Sequence, residues 1–76
     1  MEDTLEALLQ RRNAELLELN TRMANMSDDA LSRAYERELE LWADVCADYA
    51  EAGEYQPSEP LVLREMQRAC IMRLRS

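Results

Sequence analysis

The sequence contains no histidine, no lysine and no phenylalanine, and only one glycine and two prolines. Each scarcity removes a class of reading. Without histidine there is no Ser–His or Cys–His pair and no imidazole base, and no Glu-x-x-His pair to hold a di-metal centre. No stretch has the spacing of an EF-hand loop. Two cysteines, Cys46 and Cys70, make neither a disulfide framework nor a zinc site. Each reads as a small apolar residue on or beside a helix face. A redox bridge between them would need Cα atoms within about 7 Å. No apolar run approaches the ~18 residues of a membrane span, and nothing resembles a signal peptide, so a cytoplasmic, reducing location is expected. There is no Gly-rich loop, and a chain this short has little room for a ligand cavity of about 300 Å³. The chain is therefore expected to be no enzyme, with no catalytic or metal-binding residues and no cofactor.

The few breakers that are present fall together. Gly53, Pro57 and Pro60 leave long uninterrupted stretches on either side, rich in the helix formers Leu, Ala, Glu, Arg and Met. An all-α fold follows. With 76 residues the chain makes one domain at most, and one that is marginal alone. Helix 1 is predicted over about 4–25, its start marked by Asp3 with Glu6 as an imperfect capping box. Leu5, Leu9, Arg12, Leu16, Leu19, Met23 and Met26 alternate steps of four and three, which is a heptad seam with one flaw, Arg12. Helix 2 is predicted over about 28–52, with Ser27 as N-cap, Asp28 and Asp29 at the positive end of its dipole, and Gly53 as the C′ residue. Its seam is Leu31, Tyr35, Glu38, Trp42, Val45, Tyr49 and Ala52, flawed at Glu38. A loop spans 53–59. Helix 3 is predicted over about 60–73, with Leu63, Met66, Cys70 and Leu74 as its stripe and Val62 and Ala69 beside it.

The short junction at 25–27 makes helices 1 and 2 a long antiparallel hairpin, with the shorter C-terminal helix packed across it. Counting layers from the turn sets Met23 near Tyr35, Leu16 near Trp42 and Leu9 near Tyr49. Trp42 is thereby expected to anchor the core. The same register sets Arg12 near Val45 and Glu38 near Leu19, about 10 Å apart along the axis at 1.5 Å per residue. The two charges then do not face one another. Each either snorkels to solvent or meets a partner from helix 3 or a second chain, Arg12 with Glu38 of a symmetry mate being the first pairing to consider. Leu8, Leu17, Leu39, Leu41 and Ile71 lie partly off the seams, and leftover apolar surface in a small domain points to a homodimer.

The charge pattern carries the functional expectation. The net charge is −7, and every basic residue is Arg, which argues against direct nucleic-acid or membrane binding and permits a basic protein partner. Glu36, Glu40, Asp44, Asp48 and Glu51 recur at steps of four, four, four and three along helix 2. Like charges at that spacing cost about 0.2–0.5 kcal/mol per pair. Three explanations stand: a solvated face, neutralisation by Arg64, Arg68 and Arg75 of helix 3, or a docking surface for a basic partner. Residues 1–60 hold five Arg against fifteen acids, while 61–76 hold four Arg against one acid. The basic tail helix should fold back on the acidic body or on a neighbouring copy. In size and acidity the chain resembles small phage-encoded accessory proteins, anti-CRISPR and anti-restriction inhibitors among them. That likeness rests on size and charge alone and carries no residue over. The acidic row itself, at about 6 Å per i,i+4 step, approximates the phosphate spacing along one nucleic-acid strand, a spacing generic to any such row, and so admits the groove of a nucleic-acid-binding protein as the basic surface. The leading expectation is non-enzymatic protein binding through the five carboxylates. The alternative is a structural homodimerisation module whose acids are merely solvated.

Overall fold

A computed structural model describes residues 4–75. Three helices follow in order: α1 (Leu5–Arg22), α2 (Asp28–Glu51) and α3 (Leu61–Arg75), with a single 3-10 turn, Met23–Asn25, between the first two. Among the described residues there is no strand. The all-α reading therefore holds, as does the hairpin with a shorter third helix.

Local chemistry accounts for each boundary. The cap of α1 is Thr4, whose hydroxyl accepts from the Ala7 amide at 3.1 Å; Asp3, the expected cap, lies outside the described residues. Ser27 caps α2 as expected, accepting from the Ala30 amide at 3.1 Å. At the other end of α2 the amide of Glu54 reaches the Tyr49 carbonyl and that of Gly53 reaches Ala50. This is the double bond of a Schellman ending, and it requires the left-handed φ of 74° that Gly53 adopts. Pro60 stands immediately before α3, and its carbonyl accepts from the Leu63 amide at 3.1 Å. α1 ends three residues earlier than expected because the chain tightens into the 3-10 turn, closed by Met26 N–H to the Met23 carbonyl at 3.2 Å.

The third helix sets the shape. Its last turn reaches the hairpin turn, where the Arg73 guanidinium donates to the carbonyls of Met26 (2.6 Å) and Met23 (3.0 Å) and to Asp28 Oδ1 (3.0 Å). Its first turn lies beside α1, where Pro60, Leu61 and Val62 share a groove with Asn13, Leu16 and Leu17. α3 thus runs parallel to α1 and antiparallel to α2, and covers only the half of the hairpin next to the turn. Its 15 residues make about 22 Å of helix, against about 36 Å for the 24 residues of α2. The result is a drawn-out body of 43 × 21 × 16 Å. Its radius of gyration is 13.6 Å, where a compact chain of this length would have about 11 Å.

The core follows from that coverage. Leu16, Leu31, Leu63 and Met66 are buried to 2% exposure or less and form one cluster, each contributing about 1.5–3 kcal/mol of gross burial. Leu19, Met23, Tyr35, Trp42, Val62 and Cys70 pack around it, half-buried. Trp42 therefore braces the cluster from its edge instead of sitting inside it. Leu74, expected to continue the α3 stripe, is 86% exposed. The inner row runs Leu63, Met66, Cys70 and then Arg73, a step of three where the apolar choice had taken four. Ala52 is likewise exposed, because the chain has left the helix there. Cys46 and Cys70 are both unbridged and half-buried.

Candidate functional site

All five carboxylates of the acidic row, Glu36, Glu40, Asp44, Asp48 and Glu51, are exposed and lie within the one helix α2. Rows at i and i+4 project from one side of a helix, so the five run about 22 Å along its outer surface. Among the described residues none of them is held in an ion pair: Arg12 pairs with Glu15 and Glu38, Arg64 with Glu59, and Arg73 with Asp28. The neutralisation of this row by Arg64 and Arg68 within one chain is therefore not what the fold does. α3 turns its apolar row and Arg73 inward, and Arg64, Arg68 and Arg75 lie on the opposite side. Asp44 and Asp48 do share a groove with Arg11, Leu8, Leu41 and Val45, on the α1 side of the helix. The row is thus least isolated toward its C-terminal end and most isolated around Glu36 and Glu40.

The two seam charges meet each other. Arg12 Nη1 donates to Glu38 Oε2 at 3.2 Å, and the same guanidinium contacts Glu15 one turn on. The expected backbone register is consistent with the structure, for Arg12 lines one groove with Val45 and Glu38 another with Leu19. Its conclusion fails, because two long side chains lean along the axis and close the heptad between them. No second chain is needed to satisfy either charge, which corrects the expected pairing across a symmetry mate. Glu38 is only 6% exposed, and burial of a carboxylate at that depth is tolerated because Arg12 partners it.

Arg73 is the residue that sequence reading missed. Its side chain takes the Met26 carbonyl and shares the Met23 carbonyl with the Met26 amide that closes the 3-10 turn. A signal for it was present: Arg73 lies three residues after Cys70 and seven after Met66, on the buried row, whereas Arg64, Arg68 and Arg75 share the other face. The ionisation of Tyr35 is displaced. Its phenol is pushed above the ordinary value, first by burial and then by the negative charge of Glu59 and of Cys70 if ionised.

Among the described residues the surface carries open grooves. One of about 370 Å³ is an open trough on the outer side of α3 lined by Arg64, Gln67, Arg68, Ile71, Met72 and Arg75. Its volume exceeds what was expected of so short a chain, because it is a surface between side chains of one helix. Among the described residues no group of three or more acidic or thiol side chains converges as a metal site would, and no helix is long and apolar enough to cross a membrane. Compared with known proteins, the chain matches no family model, no curated protein and no solved structure.

Proposed function

We propose that this chain is a non-enzymatic protein-binding module that docks the outer face of α2 on a basic surface of a larger partner, such as the groove of a nucleic-acid-binding protein. One observation carries the reading: five carboxylates stand side by side on one helix, exposed, and without an ion pair among the described residues. Their mutual repulsion costs the folded state something at every i,i+4 step, and a basic partner would relieve it. Complementary charge of this kind acts chiefly on the rate of association and on specificity. The absence of histidine and the open character of the grooves support the non-enzymatic part of the proposal, and an inhibitory or regulatory role in the cytoplasm is the setting that fits.

The test is a triple variant, Glu40→Gln with Asp44→Asn and Asp48→Asn. Its melting temperature should hold or rise slightly. Its association with a partner captured by the wild-type chain should slow, and the salt dependence of that association should flatten. Unchanged capture with unchanged stability would remove α2 as the docking face and leave the carboxylates merely solvated.

A further inference from the structure

The outer face of α3 combines two properties that a solvated helix surface has no reason to combine. Among the described residues, Leu61, Ile71 and Met72 of α3 are exposed by 75, 44 and 61%, whereas α1 and α2 expose only Leu17 and Leu39 among their large apolar side chains. Beside these apolar groups stand Arg64, Arg68 and Arg75, also exposed. Of the three, only Arg64 has an ion pair among the described residues, a loose one to Glu59 at 3.8 Å. The inner face is already engaged: Leu63 and Met66 are fully buried and Arg73 is bound to the turn. What remains outward is a ridge of Arg64, Arg68, Ile71 and Arg75, at steps of four, three and four.

The chain itself carries a row that matches this ridge. On α2, Glu40, Asp44, Ala47 and Glu51 follow at the same steps of four, three and four, and all four are exposed. The offset between the two rows is 24 residues at every position. Both helices rise 1.5 Å per residue. Laid side by side and parallel, they therefore bring Arg64 to Glu40, Arg68 to Asp44 and Arg75 to Glu51 together, and set Ile71 over Ala47, whose small side chain leaves it room. Within one chain this cannot happen, because α3 runs antiparallel to α2 and shows it the opposite face. An anionic bilayer is a poorer occupant of the ridge, since a chain of net charge −7 is repelled by it at long range.

We propose that the α3 ridge of one copy docks in parallel on the α2 row of a second copy. The inference rests on the reading of α2 as a docking face and adds an occupant to it. A second copy and a basic partner then compete for the same carboxylates, so self-association would hold the row covered until the partner displaces it.

The experiment is sedimentation equilibrium on the full chain at low salt, with two charge-reversed variants: Arg64→Glu/Arg68→Glu, and Glu40→Arg/Asp44→Arg. Wild type should self-associate at tens of micromolar, and each variant should do so at least tenfold more weakly, with helicity by circular dichroism unchanged. An equimolar mixture of the two variants should regain association, because an acidic ridge then meets a basic row and a basic ridge meets an acidic row. A monomeric wild type, variants that associate like wild type, or a mixture that stays monomeric would each overturn the proposal. The docking reading is separable in the same samples. Arg64→Glu/Arg68→Glu leaves the α2 row intact, so it should still capture the basic partner. Capture without self-association in wild type defeats this inference alone. Rescue by mixing, with no salt-sensitive capture of any basic protein, defeats the external partner and leaves the self-contact standing.

Discussion

The two ends of the hairpin are built from the same kind of seam and reach different degrees of closure. Near the turn, α3 supplies a third layer, and Leu16, Leu31, Leu63 and Met66 reach 2% exposure or less. At the far end only α1 and α2 face each other. There Leu5, Leu8, Leu9, Leu41 and Tyr49 remain half-exposed, and Val45 is buried without joining the cluster. The Arg12–Glu38 pair stands at the border between the two. Apolar periodicity is thus enough to bring two helices together, but full burial in so small a domain depends on the third element. Polar residues are accommodated on the seam where that element stops.

The largest expected effect breaks the three-layer half directly. Leu63→Ala should cost about 2–5 kcal/mol, a large share of the roughly 4–11 kcal/mol available to a chain of this size. Leu9→Ala at the two-layer end should cost only about 1 kcal/mol. Urea unfolding followed by helicity measures both, and equal losses would erase the contrast. Native-state amide exchange should agree, with protection concentrated around Leu16, Leu31 and Met66.

Next comes the border. Glu38→Leu leaves the Arg12 charge half-buried with only Glu15 for company and should cost about 2–3 kcal/mol, less than the ~3–5 typical of a fully buried broken pair. Adding Arg12→Leu should recover most of that loss, to within about 1 kcal/mol of wild type. A double variant no better than the single one would mean that the pair fixes the helix register and does more than satisfy itself.

These two residues also mark where the sequence stopped being informative. The seam positions of α1 and α2 were legible because steps of four and three place residues on one face whatever the partner. Ser27 and Gly53 were legible because caps act locally. The meeting of Arg12 and Glu38 was not, because layer counting tracks backbones while these side chains reach a heptad along the axis. Arg73 was hidden for a different reason. Hydropathy favours Leu74 for the α3 stripe, and the spacing from Met66 and Cys70 that puts Arg73 on the inner row does not reveal the three oxygens it meets there. The exposure of the acidic row on α2 is legible in the sequence, yet its neutralisation by α3 of the same chain is excluded only by the direction in which α3 runs.

Arg73 gives the third prediction. Arg73→Met should loosen the junction of α3 with the turn and cost about 1.5–2 kcal/mol, the bonds to Met23 and Met26 counting for most of it and the exposed Asp28 contact for little. Arg75→Met, on the outer face, should change stability by less than about 0.5 kcal/mol. Thermal melts of the pair compare an inner with an outer arginine two residues apart, and similar shifts would deny Arg73 its capping role.

The smallest effect is a pH dependence in the three-layer half. The Tyr35 phenol is raised above its ordinary value of about 10, so between the ordinary and the raised value the folded state holds a proton that the unfolded chain releases. The stability tied to it is complete below pH ~10 and is lost as pH rises through the raised value. Tyr35→Phe should lessen this alkaline loss, and the phenolate absorbance removed by the substitution should titrate late. A Tyr35 that ionises at the ordinary value would mean α3 and the Glu59 carboxylate do not lie against it in solution.

The chain has a single tryptophan, and it braces the four-residue cluster from one side. Emission from Trp42 therefore samples one place only. Fraying at the open end, around Leu5 and Tyr49, should pass without a colour change, whereas undocking of α3 should shift the band to the red. A chain whose helical signal declines before its fluorescence does would be seen opening from the far end inward, with no label attached.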